Sequence, residues 1–132
     1  MNSTRFYIVV IFCLALLSCH NDNLTPQQRK VRRAAMQAMT DLRSASYDKY
    51  IDAMADAECF SDGYRQQLSA LLAQHVADIQ QQRGGWQSVD IVGDDIWGDS
   101  AMVFVQMTFA DSTSEEVMLP MVCDADGEWH LR

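Results

Sequence analysis

No stretch of this chain stays apolar for the ~20 residues that a membrane-spanning helix requires. The longest such run, Phe6 to Leu17, stops at about a dozen, the length of a signal-peptide core. Positive charge is also scarce: 10 Lys and Arg stand against 18 Asp and Glu, and after Arg83 only Arg132 is basic. Phosphate backbones are bound by clustered Lys and Arg, so nucleic acid is excluded as a partner. There is no histidine–cysteine cluster of the kind that holds zinc, no glycine-rich phosphate loop and no nucleophile motif, and no cofactor is expected. Internal repeats and low-complexity linkers are missing as well, which leaves one compact domain as the expectation.

What is present begins with an address. Arg5 lies among polar residues, the apolar run follows, and Leu16-Leu17-Ser18-Cys19 then sets a small residue directly before a cysteine. That arrangement resembles the bacterial lipobox, in which the thiol is acylated and the chain is cut just before it. Cys13 does not fit, because bulky Phe12 precedes it. An ordinary secretory signal with an incidental Cys19 would export the domain equally. Residues 1–18 are therefore read as a leader, 19–24 as a lipidated tether and 25–132 as a single domain. The expected location is the cell envelope, at the outer membrane, with the membrane as the first partner. At ~3.5 Å per extended residue the tether spans less than about 20 Å. Arg29, Lys30, Arg32 and Arg33 follow at once. They are read as a solvated face near the tether, or as a face for anionic headgroups.

Thr25-Pro26-Gln27-Gln28 combines an N-cap, a first-turn proline and a capping-box glutamine, and predicts a helix start. Val31, Ala35, Ala38, Met39 and Leu42 recur at helical spacing. A shorter helix is expected over Tyr47, Tyr50, Ile51 and Met54. A third is expected from Ser61 to Arg83, with Tyr64, Leu68, Leu71, Leu72, Val76 and Ile79 as its core face and Gly84-Gly85 as its stop. Beyond Trp86 the period changes to two: Val89 and Ile91; Ala101, Val103, Val105, Met107 and Phe109; Val117, Leu119 and Met121; Trp129 and Leu131. Turns are placed at Gly93 to Asp99, Asp111 to Ser114 and Asp126-Gly127. The prediction is an α+β domain, three N-terminal helices on one face of a curved four-stranded antiparallel sheet. Pro120 leaves open a one-residue shift that would exchange Met121 and Val122 between faces.

Two segments carry a family resemblance. "SASYDKYIDAMADAECFSDGYRQQLSALLAQHVADIQQQRGGWQSVDIV" and "GDSAMVFVQMTFADSTSEEVMLPMVCDADGEWHLR" look like the small Gram-negative envelope lipoproteins with a nuclear transport factor 2-like, cystatin-like domain. The most specific parts are the helix ending in Gly84-Gly85, the Gly98-Asp99-Ser100-Ala101 strand start and the terminal Asp126-Gly127-Glu128-Trp129. The likeness covers Ser46 to Arg132 and implies a curved sheet wrapped on a long helix. It brings no catalytic residues with it. Cys123, where such a pattern would place Lys, departs from it.

Enzymes that resemble this fold work in the cleft between helices and sheet through an Asp, His or Tyr. The predicted inward strand positions hold no carboxylate that would serve as a base. His75, with Tyr47 and Tyr50 as possible neighbours, is the single candidate for a catalytic histidine; the alternative is a boundary histidine with one hydrogen bond. Asp124 to Glu128 opens like a calcium loop but lacks the further oxygen ligands that a full loop needs, so no metal is expected. Cys59 and Cys123 are expected to be separate buried thiols, although an oxidising envelope would pair them if they lay close. A non-catalytic binding module is the expected function; a small isomerase-like or hydrolase-like enzyme is the alternative. Met102, Phe104, Met118 and Val122, on the outward phase, are candidates for an interface with a second copy or an envelope protein.

The anchor is chemically separate from the core, so Cys19→Ala should lose membrane association and palmitate label while the domain stays folded. Recovery of the mutant in the membrane fraction, with no palmitate on the wild type, would overturn the lipid anchor.

Overall fold

A computed structural model describes residues 23–132, and the expected leader and Cys19 lie outside them. The chain order is α1 (Pro26–Arg43), α2 (Tyr47–Asp52), a 3₁₀ turn (Ala57–Cys59), α3 (Asp62–Arg83), then β1 (Trp86–Trp97), β2 (Ser100–Phe109), β3 (Ser114–Cys123) and β4 (Trp129–Leu131). Both long helices start as their sequences dictate. The Thr25 hydroxyl accepts from the Gln28 amide at 3.1 Å while the Gln28 side chain accepts from the Thr25 amide at 2.9 Å, a complete capping box. Ser61 caps α3 through the Tyr64 amide, and Gly84, at φ 78°, closes it in the left-handed conformation that glycine adopts without strain.

The strands form an open antiparallel sheet in the order β1-β2-β3-β4. Alternation puts Ala101, Val103, Val105, Met107 and Phe109 of β2 on the inner face, joined by Met121, Trp129 and Leu131, and all are buried. Val31, Ala35, Ala38, Met39 and Leu42 of α1 press onto them. The alanines let the helix axis approach the sheet closely, and β2, covered most fully, carries the longest apolar row.

The helix that the sheet packs against is therefore α1. The long helix α3 has no buried residue, and two members of its expected core face, Tyr64 and Leu71, are 45% and 65% exposed. Leu72, Val76 and Ile79 reach the core margin only. Periodicity marks the side of a helix that turns toward protein, not how deeply that side is covered. α1 already fills the inner face, so α3 lies beside it.

Two further expectations are corrected in β1. No turn forms at Gly93 to Asp95: the strand runs on to Trp97, with a bulge between Ile91 and Gly93, and the chain reverses at Gly98-Asp99. The inner row does contain a carboxylate, because Asp94 points inward with its side chain 3% exposed. Arg32 of α1 meets it at 2.6 Å and the Gln28 side-chain Nε2 donates to it at 3.2 Å. Pro120, by contrast, shifts nothing. Met102 pairs with Pro120, Ala101 with Met121 and Ser100 with Val122. The Pro120 carbonyl accepts from Arg132, so its nitrogen faces the β4 side where that ladder ends and no donor is missed.

Trp129 is 7% exposed in the core, so Trp129→Ala should cost about 3–5 kcal/mol, while Leu71→Ala on the uncovered side of α3 should cost under about 0.5 kcal/mol. Urea denaturation of residues 23–132 checks both; every core residue lies between Val31 and Leu131. Comparable losses would mean that α3 belongs to the core.

Candidate functional site

Three of the large apolar side chains that stand exposed, Val92, Trp97 and Met118, lie on the sheet face opposite α1. Register aligns the outward residues in rows across the sheet. Trp97, Ser100, Val122 and His130 form one; Asp95, Met102 and Pro120 the next; then Gly93, Phe104 and Met118; then Asp90, Gln106 and Glu116. The four interface candidates from the sequence, Met102, Phe104, Met118 and Val122, thus share one face. Met118 is 61% exposed and the other three are half-buried among neighbouring side chains. Trp97, which belongs to the same strip, lies within the Gly93 to Asp99 stretch whose composition predicts a turn, and Val92 lies just before it. The Ile91-Val92 doublet, which breaks the alternation, was the available signal of a bulge.

On the other side of the sheet, α3 overhangs the start of β3 and leaves an open cleft of about 280 Å³. Met107, Phe109 and Val117 make its floor, and His75, Asp78, Gln82, Arg83 and Glu115 its rim. The Arg83 guanidinium sits 4.5 Å over the Phe109 ring and pairs with Glu115 at 3.4 Å. His75 is exposed at this rim, Tyr47 and Tyr50 are not among the lining residues, and no carboxylate lies on the floor. Burial raises the Tyr50 phenol pKa, so that hydroxyl stays protonated. To a bound molecule the cleft offers an apolar base and a rim of charged and polar side chains, of which Glu115 is already paired with Arg83.

A second hollow, of about 350 Å³, holds Cys123 and His130 among Asp52, Asp56, Glu58 and Asp124. Its residue types suggest a thiol and imidazole pair, but the geometry denies it. The His130 Nε2 atom lies 2.7 Å from Asp124, and among the described residues no hydrogen bond joins it to the thiol. Burial first, then the carboxylates of Asp99 and Asp124, push the Cys123 thiol pKa up, away from the thiolate that a nucleophile needs. Asp124 itself is held below the usual carboxylate range, chiefly by the His130 hydrogen bond and then by the Glu128 amide. Its Oδ1 atom accepts from the Asp126 and Glu128 amides at 2.9 Å each, so this acid builds the hairpin turn. Both cysteines are free. Cys59 is exposed, against the expectation of burial, because the short 3₁₀ turn holds it outside the sheet and helices.

Neither a family model nor a curated protein matches this chain. Among solved structures, one from Campylobacter jejuni, provisionally described as an NTF2-like transpeptidase, superposes with a TM-score of 0.63 at 19% sequence identity, over 76% of this chain and 94% of that one. The fold is nuclear transport factor 2-like. At that identity the likeness concerns architecture: in this nuclear transport factor 2-like domain the helices lie over the inner face and the outer face is left open.

A raised thiol pKa slows alkylation. At pH 8 iodoacetamide should modify Cys59 readily and Cys123 slowly, the latter accelerating only as pH climbs above the ordinary thiol range, as followed by peptide mass mapping. Rapid labelling of Cys123 near neutral pH would restore it as a nucleophile.

Proposed function

We propose that this is a lipid-anchored protein of the bacterial cell envelope whose domain is a non-catalytic binding module, docking another protein through the outer face of its sheet. The observation that carries the reading is the apolar strip of Val92, Trp97, Met102, Phe104 and Met118 on the sheet face opposite α1, with Val122 at its end bordering the hollow beside Met54 and Glu58. Contiguous exposed apolar surface of this kind marks interaction sites far more often than scattered single residues do. Support for the anchor comes from Ser18-Cys19 behind an apolar run, with no described helix long and apolar enough to cross a membrane. More than one acyl chain at a lipoprotein N-terminus would suffice to hold the domain there. The cleft beneath α3, with His75 at its rim, supports the second reading, an isomerase-like or hydrolase-like enzyme. Its floor lacks the carboxylate that such chemistry would use.

Photo-cross-linking in intact cells tests the docking. A benzophenone side chain at position 118 should capture a protein adduct, Phe104→Glu in the same chain should abolish that adduct, and a benzophenone at Gln74 on α3 should capture none. Equal capture from 74, or none from 118, would remove the outer face as the binding surface.

A further inference from the structure

Charges are sorted between the two faces of the sheet. On the inner side each strand carboxylate has a cation: Asp94 meets Arg32 at 2.6 Å, and Glu115 meets Arg83 at 3.4 Å. On the outer side Asp90, Asp95 and Glu116 are exposed, and none takes part in an ion pair among the described residues. No Lys or Arg lies between Gly84 and Arg132; Arg132 itself, beside Pro120 at the β4 edge, brings one cation to this face against the three acids, and among the described residues it pairs with none of them. His130, the remaining titratable base there, is bound to Asp124.

The placement of these acids matters as much as their number. Asp95 stands at the β1 end of the Met102 row, while Asp90 and Glu116 close the row beside Phe104 and Met118. Strands ~4.8 Å apart put the β1 and β3 side chains roughly 10 Å from each other, about the width of one helix. The surface is a greasy track along β2 with carboxylates on both shoulders. From this we infer that the outer face recognises a cationic amphipathic segment of another protein, whose apolar side lies on Met102, Phe104 and Met118 and whose Lys or Arg side chains meet Asp90, Asp95 and Glu116. The inference rests on the docking role proposed above and gives that partner its chemistry.

A second copy of this chain fits the surface poorly. A two-fold contact would lay the acidic shoulders of one copy against those of the other, and the whole chain carries a net charge of −8. Its own cationic cluster, Arg29, Lys30 and Arg33, lies on α1, whose apolar stripe is buried against the sheet and has none to offer. Single exposed ion pairs are weak, so discrimination comes from several acting together over an apolar contact.

The test uses residues 23–132 and three labelled 14-residue peptides followed by fluorescence anisotropy: leucine and lysine patterned for one apolar helix face, the same pattern with glutamate for lysine, and lysine with serine. The leucine–lysine peptide should bind at least about tenfold more tightly than either of the others and lose affinity as salt is raised. The triple variant Asp90→Asn, Asp95→Asn, Glu116→Gln should lose most of that preference. Asp48→Asn, Asp62→Asn, Asp78→Asn, which removes three exposed acids on the helices, should leave it intact. Equal binding of the glutamate peptide, or equal losses in the two triple variants, would overturn the recognition of cations while leaving the outer face as an apolar docking surface. Binding of no peptide would overturn the inference, and the cross-link at position 118 then judges the docking role separately. A dimer in light scattering that Phe104→Glu dissociates would put a second copy on the face and overturn it too.

Discussion

A carboxylate held at 3% exposure on the core side of a sheet must have a partner, and Arg32 supplies it to Asp94. The pair joins α1 to β1 at one point, and Arg43, at the C-terminal end of the helix, donates to the carbonyls of Trp86 and Gln87 at 3.1 and 3.0 Å. With both ends tied to the same strand, α1 has one position across the sheet. Val31, Ala35, Ala38, Met39 and Leu42 then fall on the β2 row, and the core closes around them. Most of the favourable energy is apolar burial; what the ion pair adds is registry, since a sliding helix would leave Asp94 buried without its cation.

The position of α1 decides what remains for the other elements. With the centre of the inner face filled, α3 stays at the margin with no buried side chain, despite a length of 22 residues. The cleft beneath it is a by-product of that offset: an apolar floor, a rim of opposite charges already partly paired, and a histidine in solvent. The outer face has no comparable neighbour. Apolar residues and unpaired carboxylates coexist there because Asp90, Asp95 and Glu116 are exposed and so avoid the folding cost that burial would bring.

How much of this was legible depended on whether the signal was local. Caps and turn residues act over three or four positions, so Thr25, Ser61, Gly84 and the Asp126-Gly127 hairpin were readable from the chain, as were the alternating rows of β2, β3 and β4. The depth of a helix is a property of the whole packing. Tyr64 and Leu71 have the same spacing as Val31 and Ala38, and only the competition for the inner face separates them. Gly93-Asp94-Asp95 misled for a related reason: aspartate and glycine favour turns, yet here the glycine sits at a bulge and Asp94 answers an arginine 62 residues earlier in the sequence. The candidate interface was half legible. Met102, Phe104, Met118 and Val122 follow from alternation, whereas Trp97 required knowing that β1 continues through its acidic stretch.

Charge and chain direction then bear on how the proposed anchoring and the proposed docking coexist. Under that reading the lipid joins the chain a few residues before α1, and the cations left exposed, Arg29, Lys30 and Arg33, belong to the first turns of that helix. Arg32, the fourth, is withdrawn from the group by Asp94. An anionic headgroup layer attracts the three that remain and repels a sheet face bearing Asp90, Asp95 and Glu116, within a Debye length of about 8 Å at physiological salt. Because α1 covers one side of the sheet and the acidic track occupies the other, the same charge separation that brings the helix end toward lipid turns the track away from it. A short tether would otherwise risk pressing an apolar surface into the bilayer. Here the acids on its shoulders oppose that contact, and they favour the cationic partner that we infer for the same face.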